Sequence, residues 1–260
     1  MNRFCDFPKM FERLTIVLTL FLILGLMSYA WLSPEGFSRQ LQKDGAQEQS
    51  GIIEHLTVLV LVPGILAGLL ALVRYSGRPT PRFMVLWILS WSLACIYFAG
   101  EEASWGQWYF NWETPDFING INDQGETNLH NMSSWLDQKP RTLVELFIFT
   151  IGFMIPLYHT FFQRQPQVEK GIPVTWKDWI FAPPSLLPAG LLFLITRVSN
   201  WLPYPFFKNM GNSELREFAI AWFLVWYLSS YYVRLKTLSE MSKADYRLKV
   251  FSNAYTRSRA

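Results

Sequence analysis

Leu14 to Leu32 is an uninterrupted run of 19 residues without a charged side chain, and it is the first of six apolar stretches. At 1.5 Å per residue a helix of that length spans roughly 28 Å, about the thickness of a bilayer's hydrocarbon core. The other stretches fall at about 52–73, 83–100, 143–162, 179–196 and 218–235. Inside hydrocarbon every backbone N–H and C=O must find a partner within the protein, so runs of this length are expected to be helices. The sequence therefore predicts an all-α polytopic membrane helix bundle of about six transmembrane helices, one integral domain over 1–260. A cleaved signal peptide cut after Ser28-Tyr29-Ala30 is the competing reading of the first run; its continuation through Trp31 and Leu32 favours a retained span. Pro63-Gly64 is expected to kink the second span. Pro183-Pro184 and Pro188 are expected to break the fifth, and broken spans line cavities more readily than they face lipid.

Composition agrees with this reading: 51% of residues are hydrophobic, with 12 Trp and 21 Phe. A net charge of +3 is too small to point to nucleic acid. Its distribution is more telling. The N-terminal tail, the 74–82 loop, the 164–178 loop and the tail from Arg234 hold 3, 3, 3 and 7 Lys/Arg, 16 together, whereas the alternate segments 33–51, 101–142 and 197–216 hold 7. By the positive-inside rule both termini face the cytoplasm and 101–142 faces outward. The basic tail 236–260 reads as inside-positive flanking sequence, with an amphipathic helix on anionic lipid as the alternative. Cys5 and Cys95 sit in a tail and in an apolar run, and neither suggests a disulfide or a metal site.

The outer loop 101–142 gathers the polar chemistry. Seven acids against Lys139 and Arg141 give it a net charge of −5. On the predicted topology Glu54 and His55, Glu101 and Glu102, Arg197, Glu214, Arg216 and Glu217 fall in the same outer layer, while His159 falls at the opposite face. Ionisable groups at hydrocarbon depth are costly and draw functional suspicion, although at span ends a solvated carboxylate costs little. Glu126 and His130, four apart, would share one face of a helix and could hold a divalent metal or form a carboxylate–imidazole base. One such spacing is also met by a plain helix-surface ion pair. Glu54, Glu101 or Glu102 would have to complete a coordination sphere, since the second histidine of the zinc-protease helix motif is missing. Glu101 and Glu102 lie about 100° apart on a helix, so one should face the bundle and the other the headgroups or the loop. Trp105, Trp108 and Trp112, with Tyr109, are expected as an aromatic stripe on a short interfacial helix, anchoring the loop or serving as a platform for a headgroup or sugar ring. Asn119-Gly120 and Gln124-Gly125 are expected turns.

Gly100-Glu101-Glu102-Ala103-Ser104-Trp105-Gly106-Gln107, followed by Gln124-Gly125-Glu126-Thr127-Asn128-Leu129-His130-Asn131, resembles a group of uncharacterised bacterial polytopic membrane proteins with the same paired segments after a third span. The resemblance covers about 35 residues closely and implies a bacterial inner-membrane location, without bringing an activity. A likeness to the membrane hydrolases that include alkaline ceramidases fails, because this chain has three histidines in all and no His-x-x-x-His near its C-terminus.

The expectation is a polar site at the membrane interface acting on a lipid or lipid-linked substrate. Glu102, Glu126 and His130 would be catalytic, and Trp105, Gln107, Trp108 and Asn128 would bind substrate. Glu54, Glu101, Glu126 and His130 would be the ligands of a divalent metal. The rival is a membrane binding or assembly protein whose acidic outer loop docks a partner or glycan. A transporter fits less well, since runs one, three and six lack mid-span ionisable residues and no half-repeats are seen.

Overall fold

The structure is a computed structural model and describes residues 6–41, 52–75, 82–122, 125, 127–129, 132, 134–162, 168–169, 172–173, 179–202 and 204–240. The chain is an all-α polytopic bundle. Its helices are α1 (Asp6–Leu32), α2 (Pro34–Leu41), α3 (Ile52–Tyr75), α4 (Arg82–Glu102), α5 (Gln107–Phe110), α6 (Asp116–Asn119), α7 (Ser134–Phe147), α8 (Ile155–Phe161), α9 (Leu187–Ser199), α10 (Pro205–Met210) and α11 (Ser213–Glu240). A π-helical turn, Ile148–Met154, joins α7 to α8 into one long element. The π turn lies just before Pro156, which has no N–H to continue the ordinary ladder. Two residues at 168–169 pair with 172–173 in a minimal antiparallel ladder.

Five helices are long and apolar enough to cross a membrane: Pro8–Leu32, Ile52–Tyr75, Arg82–Glu102, Gln138–Phe161 and Ser213–Glu240. They cover five of the six expected spans. The fifth expectation, 179–196, is realised as a shorter apolar helix, Pro184–Ser199. Pro188 does not break it, because Pro188 sits in the first turn of α9, where a missing N–H would have had no intrahelical partner. The break comes earlier, at Phe181–Pro183.

One helix organises the rest. In α11, 78% of the most apolar stretch is buried against the protein, compared with 17–28% in the other four spans. Among its neighbours α3 comes closest, and Gly64 is the reason. A Cβ there would lie 2.8 Å from the Cα of Val225, and one at Gly68 would lie 2.3 Å from Ser92 Oγ. Small residues four apart let helix backbones approach where lipid supplies no hydrophobic drive. Helix α3 runs unbroken through Pro63. Across the bundle, Trp222 Nε1 of α11 donates to Thr19 Oγ1 of α1 at 2.9 Å.

The break before α9 leaves two carbonyls without helical donors. Trp179 and Ile180 would be served by the N–H groups of residues 183 and 184, and both are prolines. Helix α11 supplies the replacements. Tyr227 OH donates to the Ile180 carbonyl at 2.7 Å, while Tyr231 OH and Arg234 Nη1 lie 2.8 Å and 3.2 Å from that of Trp179. Trp87 Nε1 sits 3.0 Å from each tyrosine oxygen, closing a buried network. Cys95 is a free, buried thiol; Cys5 lies outside the described residues.

Candidate functional site

The segment after α4 is built on left-handed backbone. Ser104, Trp105 and Gly106 have φ of 44°, 56° and 102°. Two consecutive non-glycine residues in this region cost about 1–2 kcal/mol each, and they persist only where surrounding contacts hold them. Those contacts are present. The Trp105 indole folds back over Gly100, where a Cβ would lie 2.9 Å from the ring, and its Nε1 donates to Glu101 Oε1 at 2.6 Å. The second oxygen of Glu101 accepts the backbone N–H of Leu129 at 2.7 Å. Glu101 is only 4% exposed, so these are buried, charge-assisted hydrogen bonds.

Gln107 plays the matching role one turn on. Its Oε1 accepts the N–H of Thr127 at 2.8 Å. Its Nε2 donates to Thr114 Oγ1 at 2.8 Å, and that hydroxyl donates to the carbonyl of Gly125 at 2.5 Å. Asn128 Nδ2 donates to Ser104 Oγ at 3.2 Å, and Asn122 Nδ2 donates to the Asn128 side chain and backbone carbonyl at 3.0 and 2.9 Å. Among the described residues of the two sequence segments, Glu101, Ser104, Gln107, Thr127 and Asn128 are thus struts binding one segment to the other.

This geometry corrects two expectations. Trp105, Trp108 and Trp112 do not share a helix face: the left-handed turn at 104–106 and a left-handed Asn111 confine α5 to four residues. Trp112 instead stacks on Phe110 with ring planes 7° apart, and the Trp108 side chain lies outside the described residues. Nor is the stretch between Glu126 and His130 helical. Thr127 and Leu129 form bends and Asn128 between them is irregular, because their N–H and side-chain groups are spent on Gln107, Ser104 and Glu101 rather than on an i→i−4 ladder. Glu126 and His130 themselves lie outside the described residues. The expected turn at Asn119-Gly120 is present, and Gly125 has φ of 67°.

Glu101 and Glu102 do divide their roles as neighbours on a helix must. Glu101 is committed to the loop. Both line a cavity of about 150 Å³ between α4, α7 and α11, whose wall includes Trp91, Phe98, Arg141, Val144, Glu217 and Leu224. Glu102, Glu214 and Glu217 bring carboxylate oxygens within 4.8 Å of one another, a group able to hold a cation. Arg141 Nη1 pairs with Glu217 Oε1 at 2.5 Å. Glu145 in α7 sits between two arginines, Arg197 Nε at 3.3 Å and Arg216 Nε at 3.1 Å. The Arg216 contact is close enough for charge attraction but is not aligned as a hydrogen bond.

Of the expected site, Glu101, Trp105, Gln107 and Asn128 come together in the loop lock and Glu102 lines the cavity. Glu54 is buried in the first turn of α3. Beside it, His55 Nδ1 lies 3.2 Å from Tyr109 OH, which ties α3 to the loop. His159 ends the α7–α8 element, some 18 residues beyond Arg141, away from the cluster. Sequence reasoning missed Glu145, which lies inside an apolar run, and missed Ser104, Thr114, Asn122 and Thr127 as struts. Glu145 had a usable signal: a lone acid within a span calls for a cation on a neighbouring helix, and Arg197 and Arg216 lay in the same layer. No family model, curated protein or solved structure matches the chain.

Proposed function

We propose that this chain is an integral inner-membrane protein whose outward-facing interfacial site acts on a lipid or lipid-linked substrate. The cavity under the outer loop is the observation that carries the reading. Its deep wall is aromatic and aliphatic, and its rim holds Glu101, Glu102, Arg141 and Glu217. From Trp91 to Glu101 it follows roughly 15 Å of helix α4, half the thickness of a hydrocarbon core. An amphiphile lying in one leaflet has the same polarity profile. Counting the shorter apolar helix Pro184–Ser199 as the sixth passage, both termini would be cytoplasmic and this cavity would face outward, a topology supported by the 16-to-7 partition of Lys and Arg. The bacterial inner membrane follows from the resemblance of the two loop segments.

In the proposed chemistry Glu102 works with Glu126 and His130, which flank the pinned Thr127–Leu129 stretch in the chain, to draw a proton from water or a substrate hydroxyl. A divalent cation held by Glu102, Glu214 and Glu217 would polarise the group under attack. The test compares wild type with Glu102→Gln, Glu126→Gln and His130→Ala, purified in mild detergent without chelators. Thermal stability, divalent-metal content and rescue of a deletion strain of the host are measured for each. The reading expects rescue to be lost while stability is kept. Full rescue by all three variants ends it.

A binding or assembly role is the second reading, favoured by a specific observation: both oxygens of Glu101 and both ends of the Gln107 amide hold the loop in shape. On that reading the acidic outer loop docks a partner or glycan. The same variants then lose expression or thermal stability instead of turnover.

A further inference from the structure

The cavity between α4, α7 and α11 has a floor. The lining residues furthest from the outer loop are Trp91, Val144 and Leu224, one on each helix. One turn beyond Val144, Phe147 reaches across to Trp91 with ring centroids 4.4 Å apart. Trp91 also meets Trp87 at 6.0 Å and Tyr227 at 5.9 Å, and Phe147 meets Tyr227 at 5.4 Å and Phe223 at 6.4 Å. Rings from three helices thus plug the cleft at one depth, at spacings where aromatic pairs attract. The plug is stiff. Trp87 Nε1 lies 3.0 Å from the hydroxyls of both Tyr227 and Tyr231, and those tyrosines hold the carbonyls of Ile180 and Trp179. The Trp91 indole cannot swing aside without disturbing this close packing.

Above the plug the cleft opens sideways. Ala94 lines it and is exposed on the flank of a helix long and apolar enough to span a bilayer, so what meets the opening is hydrocarbon. Lipid tails are as apolar as the wall, so transfer out of water gives no preference, and fit decides. From Glu101 to Trp91 the helix rises roughly 15 Å. A zigzag of carbon–carbon bonds about 1.5 Å long, bent at about 111°, advances roughly 1.25 Å per carbon, so about twelve carbons fill that length. The volume, about 150 Å³, is that of a space holding one small apolar molecule, so it takes a single chain. A shorter chain leaves a void at the plug, and a longer one must turn out through the flank and give up the contacts there. Resting on the reading of the cavity as a lipid site, we infer that it takes one acyl chain of about twelve carbons, with its methyl end on the indole of Trp91. Trp91 is then the residue that sets the chain length the site accepts.

The experiment is native mass spectrometry of the full chain in detergent. The protein is equilibrated with equimolar lauroyl and stearoyl lysophosphatidylethanolamine, which share a headgroup and carry one chain each. Comparing variants within one mixture cancels the unequal partition of the two lipids into micelles. Trp91→Ala removes the floor and is expected to shift the bound lauroyl-to-stearoyl ratio about tenfold toward stearoyl. Trp91→Phe, which keeps a ring against Phe147 and serves should the alanine variant fail to fold, shifts it the same way by a smaller factor. Trp31→Ala, at an exposed tryptophan away from the cavity, leaves the ratio unchanged. Ala94→Leu, which narrows the cleft from an exposed position, lowers occupancy by both lipids. A ratio unmoved by the Trp91 substitutions, while Ala94→Leu still displaces lipid, overturns the chain-length assignment and leaves the lipid reading standing. An equal shift in Trp31→Ala overturns it likewise. No lipid bound to wild type, or full occupancy in Ala94→Leu, defeats the lipid reading itself.

Discussion

The hydroxyl of Tyr227 donates to the carbonyl of Ile180 at 2.7 Å, across the gap between the central helix and the break that precedes α9. Residue 184, which in a continuous helix would have served that carbonyl, is a proline. The bond therefore stands in for a missing rung of the helix ladder, inside a bundle where water is not at hand to do so. Tyr227→Phe should lower unfolding stability by about 1–2 kcal/mol. Thermal or denaturant unfolding in detergent, with Tyr158→Phe at an exposed position as the neutral comparison, checks it.

Gly64 sets the spacing between α3 and α11. Adding one methyl group there forces it against the Val225 backbone, and backbone has no rotamer by which to yield. Gly64→Ala should destabilise by about 1–3 kcal/mol. Gly25→Ala, where a Cβ meets nothing within 4 Å, should be neutral or slightly stabilising, because alanine is the better helix former. Unfolding midpoints of the two variants measured side by side decide the point.

Glu101 and Glu102 adjoin in sequence and part in role. Glu101→Gln weakens two charge-assisted hydrogen bonds and leaves an amide N–H₂ facing donors, so a loss of about 2 kcal/mol is expected. Glu102→Gln, at a side chain that lines the cavity and does not pin Leu129, should cost less than Glu101→Gln in the same unfolding measurement. Equal losses from the two would refute the division of labour.

Gln107 uses its carbonyl end as an acceptor and its amide end as a donor at once. Gln107→Glu keeps the shape and removes the donor to Thr114. The 112–127 part of the loop should then loosen, at a cost of about 1–2 kcal/mol, with faster proteolytic cleavage inside the loop while the spans remain intact. Limited proteolysis followed by mass mapping reads this directly.

The spans could be read from the sequence because the bilayer imposes one length on them; Leu14 to Leu32 needs no knowledge of its neighbours to be recognised. The split between Glu101 and Glu102 was legible for a similar reason, since the 100° step of a helix is local geometry. The tryptophan stripe was not. Its spacing fits a helix, and only the left-handed backbone at Ser104 and Trp105, imposed by partners more than twenty residues away such as Thr127 and Asn128, overrules it. The close approach at Gly64 was hidden behind Pro63, whose presence suggested a kink and drew attention from the small-residue spacing to Gly68. The fifth span shows the same limit: its prolines announced a break, but the tyrosines that mend it lie some fifty positions further along.

The central placement of α11 bears on how the molecule is made. It is the least apolar of the five long helices, and Glu214, Arg216, Glu217 and Arg234 ride on it. Emerging from the ribosome, such a segment has little reason to leave the translocation channel for lipid by itself. Until α11 is in place, the groove at Gly64 stays open and the carbonyls of Trp179 and Ile180 lack the donors that it supplies. Helix α11 thus finds its surroundings in protein rather than in lipid, and its docking completes the contacts that the other spans leave open.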